Sequence, residues 1–198
     1  MLFSIYENMA PQRQKLYLND DRARFGVILE WITEMAVVAV FGLFIANFLF
    51  FPAKNASKSM EPTILQDSVV FSNRLAYIFT EPKRFDVISF RRSEKDEESD
   101  VLVRRVVALP GETIRIYRGS VYIDGGELDV SDYFSEITSD GIAEMELRLN
   151  ADEYFVLGDM PANSEDSRSS TIGPILRKQV IGRAFLYATN FTDLHFIK

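Results

Sequence analysis

From Met35 to Phe51 the chain runs seventeen residues without a charge, and only Asn47 breaks its apolar character. As a helix rising about 1.5 Å per residue, that run spans roughly 25 Å, close to the hydrocarbon thickness of a bilayer. Glu30 and Glu34 precede it and would each cost about 2.5–3.5 kcal/mol at the bilayer centre. The span therefore starts near them, with Trp31 at headgroup level. A membrane helix from about Gly26 to Phe51 is expected, with residues 1–25 as a short tail, 26–52 as the anchor and 53–198 as one further domain. Arg13, Lys15, Arg22 and Arg24 lie before the span, and the positive-inside tendency puts the tail in the cytoplasm and the bulk of the chain outside. A cleaved secretory signal has a shorter apolar part, about 7–15 residues, and a small-x-small exit. A buried core helix of this length shows a polar face, and this run has none.

Beyond residue 52 there are 18 Lys and Arg against 24 Asp and Glu. An acidic domain of this kind argues against a nucleic-acid partner. The absence of cysteine rules out disulfides and thiolate metal sites. His195 is the single histidine, so a Ser-His-Asp arrangement has only one candidate base.

After Phe51 the pattern changes to short runs of Val, Ile, Phe and Tyr divided by turn residues, which is the signature of strands. The clearest are Ser68 to Ser72, Asp86 to Phe90, Leu102 to Ala108, Thr113 to Tyr117, Ser120 to Ile123, Tyr154 to Leu157 and Ile181 to Tyr187. They predict a compact, mostly antiparallel β domain. Arg91 to Asp100, a charged stretch between two apolar strands, reads as an exposed hairpin excursion. Asp124-Gly125-Gly126 reads as a turn, because glycine supplies the positive φ of tight hairpins.

Four short blocks follow the apolar run in order. They are Ser59-Met60-Glu61-Pro62-Thr63, then Arg84-Phe85-Asp86-Val87-Ile88-Ser89-Phe90, then Arg104-Arg105-Val106-Val107-Ala108-Leu109-Pro110-Gly111-Glu112, and last Gly158-Asp159 with Ser164-Glu165-Asp166-Ser167-Arg168. Each is weak alone, but four in the right order behind a membrane anchor are specific. Together they resemble the bacterial type I signal peptidases, membrane-anchored serine endopeptidases with a β domain. In that family the serine of the first block is the nucleophile and a lysine opening the third block is its general base. Here Arg104 stands in the lysine's place. Arg84-Phe85 replaces the commoner Arg-Gly, and Met160-Pro161 replaces the usual Asn-Arg.

The departure at Arg104 bears on the chemistry, since a serine hydroxyl is a poor nucleophile until a neighbour takes its proton. Lysine starts near pKa 10.4 and burial can lower it by about three units, whereas arginine starts at about 12.5–13.8. A guanidinium can still hydrogen-bond the serine or stabilise an oxyanion as a fixed donor. Lys58 and His195 are the other candidate bases. Adjacent side chains of an extended segment point opposite ways, which turns Lys58 from Ser59's partner, and His195 lies outside every matching block. The resemblance further implies that Ser57 joins the oxyanion hole, that Ser164 orients the base, and that Asp166 and Arg168 form a supporting ion pair.

The resemblance implies hydrolysis after a small-x-small sequence in signal peptides of exported preproteins, bound extended by strand addition. Membrane lipid and the secretion machinery are implied as partners, and no metal or organic cofactor. A second reading keeps the peptide groove without turnover, making the chain a binder of leader or pilin-like peptides at the membrane. Arg104 favours that reading. The retained Ser57, Ser59, Ser164, Asp166 and Arg168 favour the enzyme.

Overall fold

The computed structural model describes residues 24–44, 49–93, 100–190 and 193–197. It divides into two units, Met1–Asn47 and Phe48–Lys198. In the first, helix α1 runs Arg24–Phe44, long and apolar enough to cross a membrane. Every residue of α1 is exposed. Large side chains such as Trp31, Met35 and Phe41 are exposed, as in a helix whose solvent is lipid.

The second unit is built of antiparallel strands in two sheets. The larger contains β1 (Phe50–Asn55), β2 (Ser68–Asn73), β3 (Val87–Arg91), β4 (Val101–Ala108), β9 (Glu153–Leu157), β10 (Ile175–Leu176), β11 (Val180–Asn190) and β12 (Asp193–Phe196). Its order is β1-β2-β11-β3-β4-β9-β10, with β12 also paired to β11. The smaller holds β5 (Thr113–Tyr117), β6 (Ser120–Ile123), β7 (Gly126–Leu128) and β8 (Leu147–Arg148) in the order β7-β6-β5-β8. The expected β domain is therefore present. All seven expected strands are found, their ends within a few residues of those read from the sequence.

One boundary needs correction. Phe50 and Phe51 were expected in the helix, yet they open β1, paired with Asn73 and Ser72 of β2. Pro52 supplies the reason: it disfavours helical geometry at the residue before it and removes a donor, which an edge strand such as β1 tolerates.

The charged stretch after β3 does connect two hairpin strands, since Arg91 pairs with Val101 and Arg92 N–H donates to Asp100 O at 3.0 Å. Residues 94–99 of that stretch lie outside the described residues. The Asp124-Gly125 turn joins β6 to β7 with φ of 50° and 82°, the doubly positive pair that matches strand twist in a two-residue hairpin.

Three apolar clusters hold the unit together. Met60, Ile64, Val70, Val87 and Val103 belong to one, and Ile88, Phe90, Val106 and Val156 to another. Val87 and Ile88 thus serve opposite sides of one strand, as the pleat requires. The third packs Ile114, Ile116 and Val121 of the small sheet against Phe155 and Leu157. Met60 and Ile64 are fully buried, so the segment that carries Ser59 is anchored from both its C-terminal side and its own turn.

Candidate active site

Ser59 sits in a single 3-10 turn, Lys58–Met60, that follows β1. Ser57 precedes the turn in extended conformation, and its hydroxyl lies 2.8 Å from the hydroxyl of Ser59. Ser59 is fully buried, whereas Ser57 and Lys58 are exposed. The turn is tied to the loop after β9 by Met160 N–H, which donates to Ser59 O at 2.9 Å.

Gly158 is where the separate segments meet. A Cβ there would collide with Ser164 Oγ and with Ser59 O, so only glycine allows the two serine segments to approach the end of β9 this closely. Among the described residues, the buried Ser164 Oγ has no hydrogen-bond partner.

Just beyond it, Asp166 and Arg168 form a buried bidentate pair, Nε to Oδ1 and Nη2 to Oδ2, both at 2.9 Å. The carboxylate also accepts from the Gly158 and Arg168 N–H groups, each at 3.2 Å. Arg168 in turn donates to Ser139 O and Pro161 O. This network fixes the loop that presents Ser164, because the Asp166–Arg168 pair bridges it to the Gly158, Ser139 and Pro161 main chain.

Arg104 extends from β4 and is 3% exposed. Its Nε and Nη2 both donate to Glu165 O, at 3.0 and 2.7 Å, and Nη1 donates to Val103 O at 2.6 Å. It bonds neither Ser59 nor Ser164. The guanidinium is seated on the residue next to Ser164. Burial pulls its pKa down from the ordinary arginine range to about 10; Asp166 and Glu165 act in the opposite sense, Arg92 adds to the fall, and Asp159 opposes it.

His195 is engaged elsewhere, on β12, 2.9 Å from Asp193 and stacked on Tyr187. Lys58 is exposed and Ser59 buried, though the two lie in a 3-10 turn rather than the extended segment that was expected to send their side chains apart.

Two features escaped the sequence reading. Arg105, 1% exposed, is clamped by the fully buried Asp159, with Nε to Oδ1 at 2.9 Å and Nη2 to Oδ2 at 2.7 Å, and its guanidinium lies 4.6 Å from the Tyr133 ring centroid. It also donates to Thr63 Oγ1 at 3.4 Å, which links the Ser59 block to β4. Both partners stood in quoted blocks, but nothing in their sequence separation marks them as a pair. The other feature is the carbonyl of Glu165, a main-chain acceptor that leaves no trace in side-chain patterns.

The family described as signal peptidase, peptidase S26, matches residues 28–188. Signal peptidase I S of Bacillus subtilis (strain 168) is 30% identical over 178 residues, covering 84% of this chain and 92% of its own. Signal peptidase I of Bacillus amyloliquefaciens is 26% identical over 174 residues, 84% of this chain and 91% of its own. A crystal structure of a signal peptidase I from Enterococcus faecalis V583 aligns at 28% identity and TM-score 0.41, covering 52% of this chain and 97% of that one. A family match that begins inside the membrane-length helix and runs on through β11 leaves one assignment: the chain belongs to the signal peptidases of family S26.

Proposed function

We propose that this chain is a membrane-anchored serine endopeptidase that removes signal peptides from exported preproteins after a small-x-small sequence. Ser59 is the nucleophile, and the guanidinium of Arg104, in the position of the base, keeps turnover low at neutral pH. The observation that carries the reading is the convergence at Gly158 of the Ser59 turn and Ser164, with Ser57 bonded to the Ser59 hydroxyl.

In this mechanism Ser59 Oγ attacks the scissile carbonyl and gives its proton to the base. The carbonyl electron pair moves onto oxygen and is met by the Ser57 hydroxyl and the Ser59 N–H. Collapse breaks the C–N bond, the amine of the mature protein leaves with the proton, and water then hydrolyses the Ser59 ester. The resemblance gives Ser164 the role of orienting the base, although its hydroxyl makes no bond to Arg104 here, while Asp166 and Arg168 hold the Ser164 loop.

With Arg104 near 10, about one guanidinium in 10³ is neutral at pH 7. An exposed arginine would offer fewer than one in about 10⁵. Burial thus restores part of the base strength that arginine lacks, without reaching that of a buried lysine.

Helix α1 holds the enzyme in lipid, the N-terminal tail is cytoplasmic and residues 53–198 are extracytoplasmic, where preproteins arrive from the secretion machinery. Arg13, Lys15, Arg22 and Arg24 support this orientation. Protease added to spheroplasts should digest the outer domain and spare the tail; a protected outer domain would overturn the topology.

Cleavage of a leader-bearing precursor by the full chain in detergent micelles tests the activity. Slow cleavage that Ser59→Ala abolishes and Arg104→Lys accelerates is expected. Cleavage that is fast in the native protein and survives Ser59→Ala would exclude the assignment of the nucleophile.

A further inference from the structure

The charged stretch after β3 reads as a solvated excursion, yet its first residues reach the active-site loop. Arg92 forms an ion pair with the Glu165 carboxylate, and Thr171 Oγ1 donates to the other carboxylate oxygen at 3.2 Å. Thr171 is itself held by Ser169, whose hydroxyl lies 2.7 Å away. Glu165 therefore meets Arg104 through its carbonyl, while its carboxylate is held beside it by Arg92 and Thr171. Its carbonyl is the acceptor for two of the guanidinium's donors, and its side chain brings a negative charge, clasped by Arg92 from the β3–β4 hairpin.

We propose that Glu165 is a positioning residue for the reaction: with Arg92 and Thr171 it keeps the Arg104 guanidinium seated on the Glu165 carbonyl and fixes the charge beside it. The proposal rests on the reading of Arg104 as the residue in the base position. Glu165 touches no reacting atom and acts through Arg104. The charges around Arg104 are Glu165 and Asp166 on the Ser164 loop, Asp159 after β9, and Arg92 on the hairpin. Asp159 is committed to Arg105 and Asp166 to Arg168. Glu165 and Arg92, both partly exposed, form the pair that can be altered without stranding a buried charge.

This arrangement has a signature that separates positioning from a purely structural role. Removing either partner breaks the same ion pair, so a structural role predicts the same consequence from both sides. Their effects on Arg104 are opposite in sign. Without the Glu165 carboxylate the guanidinium loses a proton more readily; without Arg92 it holds its proton more firmly.

The test uses Glu165→Gln and Arg92→Gln in the full chain in micelles at low ionic strength, where exposed charges are least screened. The ¹³Cζ resonance of Arg104, assigned by its loss in Arg104→Lys, is titrated between pH 8 and 12. The midpoint is expected to fall in Glu165→Gln and rise in Arg92→Gln, each by about half a pH unit, the scale of a partly exposed pair. The rate of precursor cleavage at fixed pH should rise about threefold in the first variant and fall about threefold in the second, with KM unchanged. Shifts in the same direction, or no shift in either, would overturn the role of Glu165. The titration reads Arg104 whether or not the chain turns over. If the midpoints move as expected while cleavage ignores Ser59→Ala, the positioning stands and the reading of the site as a Ser59 peptidase fails.

Discussion

Arg104 and Arg105 are neighbours on β4, both are buried, and the pleat sends them to opposite faces of the sheet. Arg105 meets a carboxylate squarely, in a bidentate clamp with Asp159 under the Tyr133 ring. Among the described residues, Arg104 donates to carbonyl oxygens, those of Val103 and Glu165. One guanidinium is a compensated structural charge; the other is desolvated without a carboxylate on its donors. That difference supports the proposed reading of Arg104, because a base must be able to lose its proton and a structural cation must not.

The lowering of Arg104 is also a statement about stability. Its folded value, about 10, lies below that of an exposed arginine, so the protonated form is the one the fold disfavours. The unfolded chain binds more protons between those two values, and stability contributed by this group rises with pH across that window. Below about pH 10 the full penalty of about 3 kcal/mol stands.

Removing Asp159 should break the comparison most violently. Asp159→Ala leaves Arg105 buried without its counter-charge and should cost about 3–5 kcal/mol in urea denaturation followed by circular dichroism. Glu165→Ala, beside Arg104, should cost less than about 1 kcal/mol in the same measurement, since its ion pair is partly exposed. Equal losses would mean that Arg104 depends on a carboxylate after all.

Arg104→Lys sharpens the contrast with effects of opposite sign. Cleavage of a leader-bearing precursor at pH 7 should rise at least about tenfold, because lysine's proton is easier to remove. Stability should drop by about 1 kcal/mol, since an ammonium cannot reproduce the planar fork across the two carbonyls. A variant that gains neither activity nor loses stability would show that the guanidinium contributes to neither. At the small end, Ser164→Ala should change stability by less than about 0.5 kcal/mol, as its hydroxyl has no bond to lose. A loss above about 1 kcal/mol would reveal a partner for that hydroxyl.

The sequence carried the strands well because alternation is local: β5 buries Ile114 and Ile116 and exposes Arg115 and Tyr117, a pattern visible in five letters. It failed at β1, where two phenylalanines continue the apolar run and composition cannot tell helix from strand. The two- to four-residue strands β7, β8, β10 and β12 are too short to show a period, so their pairing is decided by tertiary contact. In the site, the ordered blocks carry Ser59, Ser164, Asp166 and Arg168, with Ser57 two residues before the first block, and the structure pairs Asp166 with Arg168 as a salt bridge. The seat of Arg104 was hidden, since it depends on a main-chain carbonyl sixty-one residues away. So was the grip of Arg92 on Glu165, which joins a surface hairpin to a buried loop.

The pH dependence of precursor cleavage, measured for the native chain and for Arg104→Lys between pH 6 and 10, tests the central claim most directly. If Arg104 acts as the base with a value near 10, the native rate should climb about tenfold per pH unit from 7 to 9, and the lysine variant should level off at lower pH. A native profile that is flat above pH 7, with a rate that survives Arg104→Ala, would contradict the account and assign the proton transfer to another group.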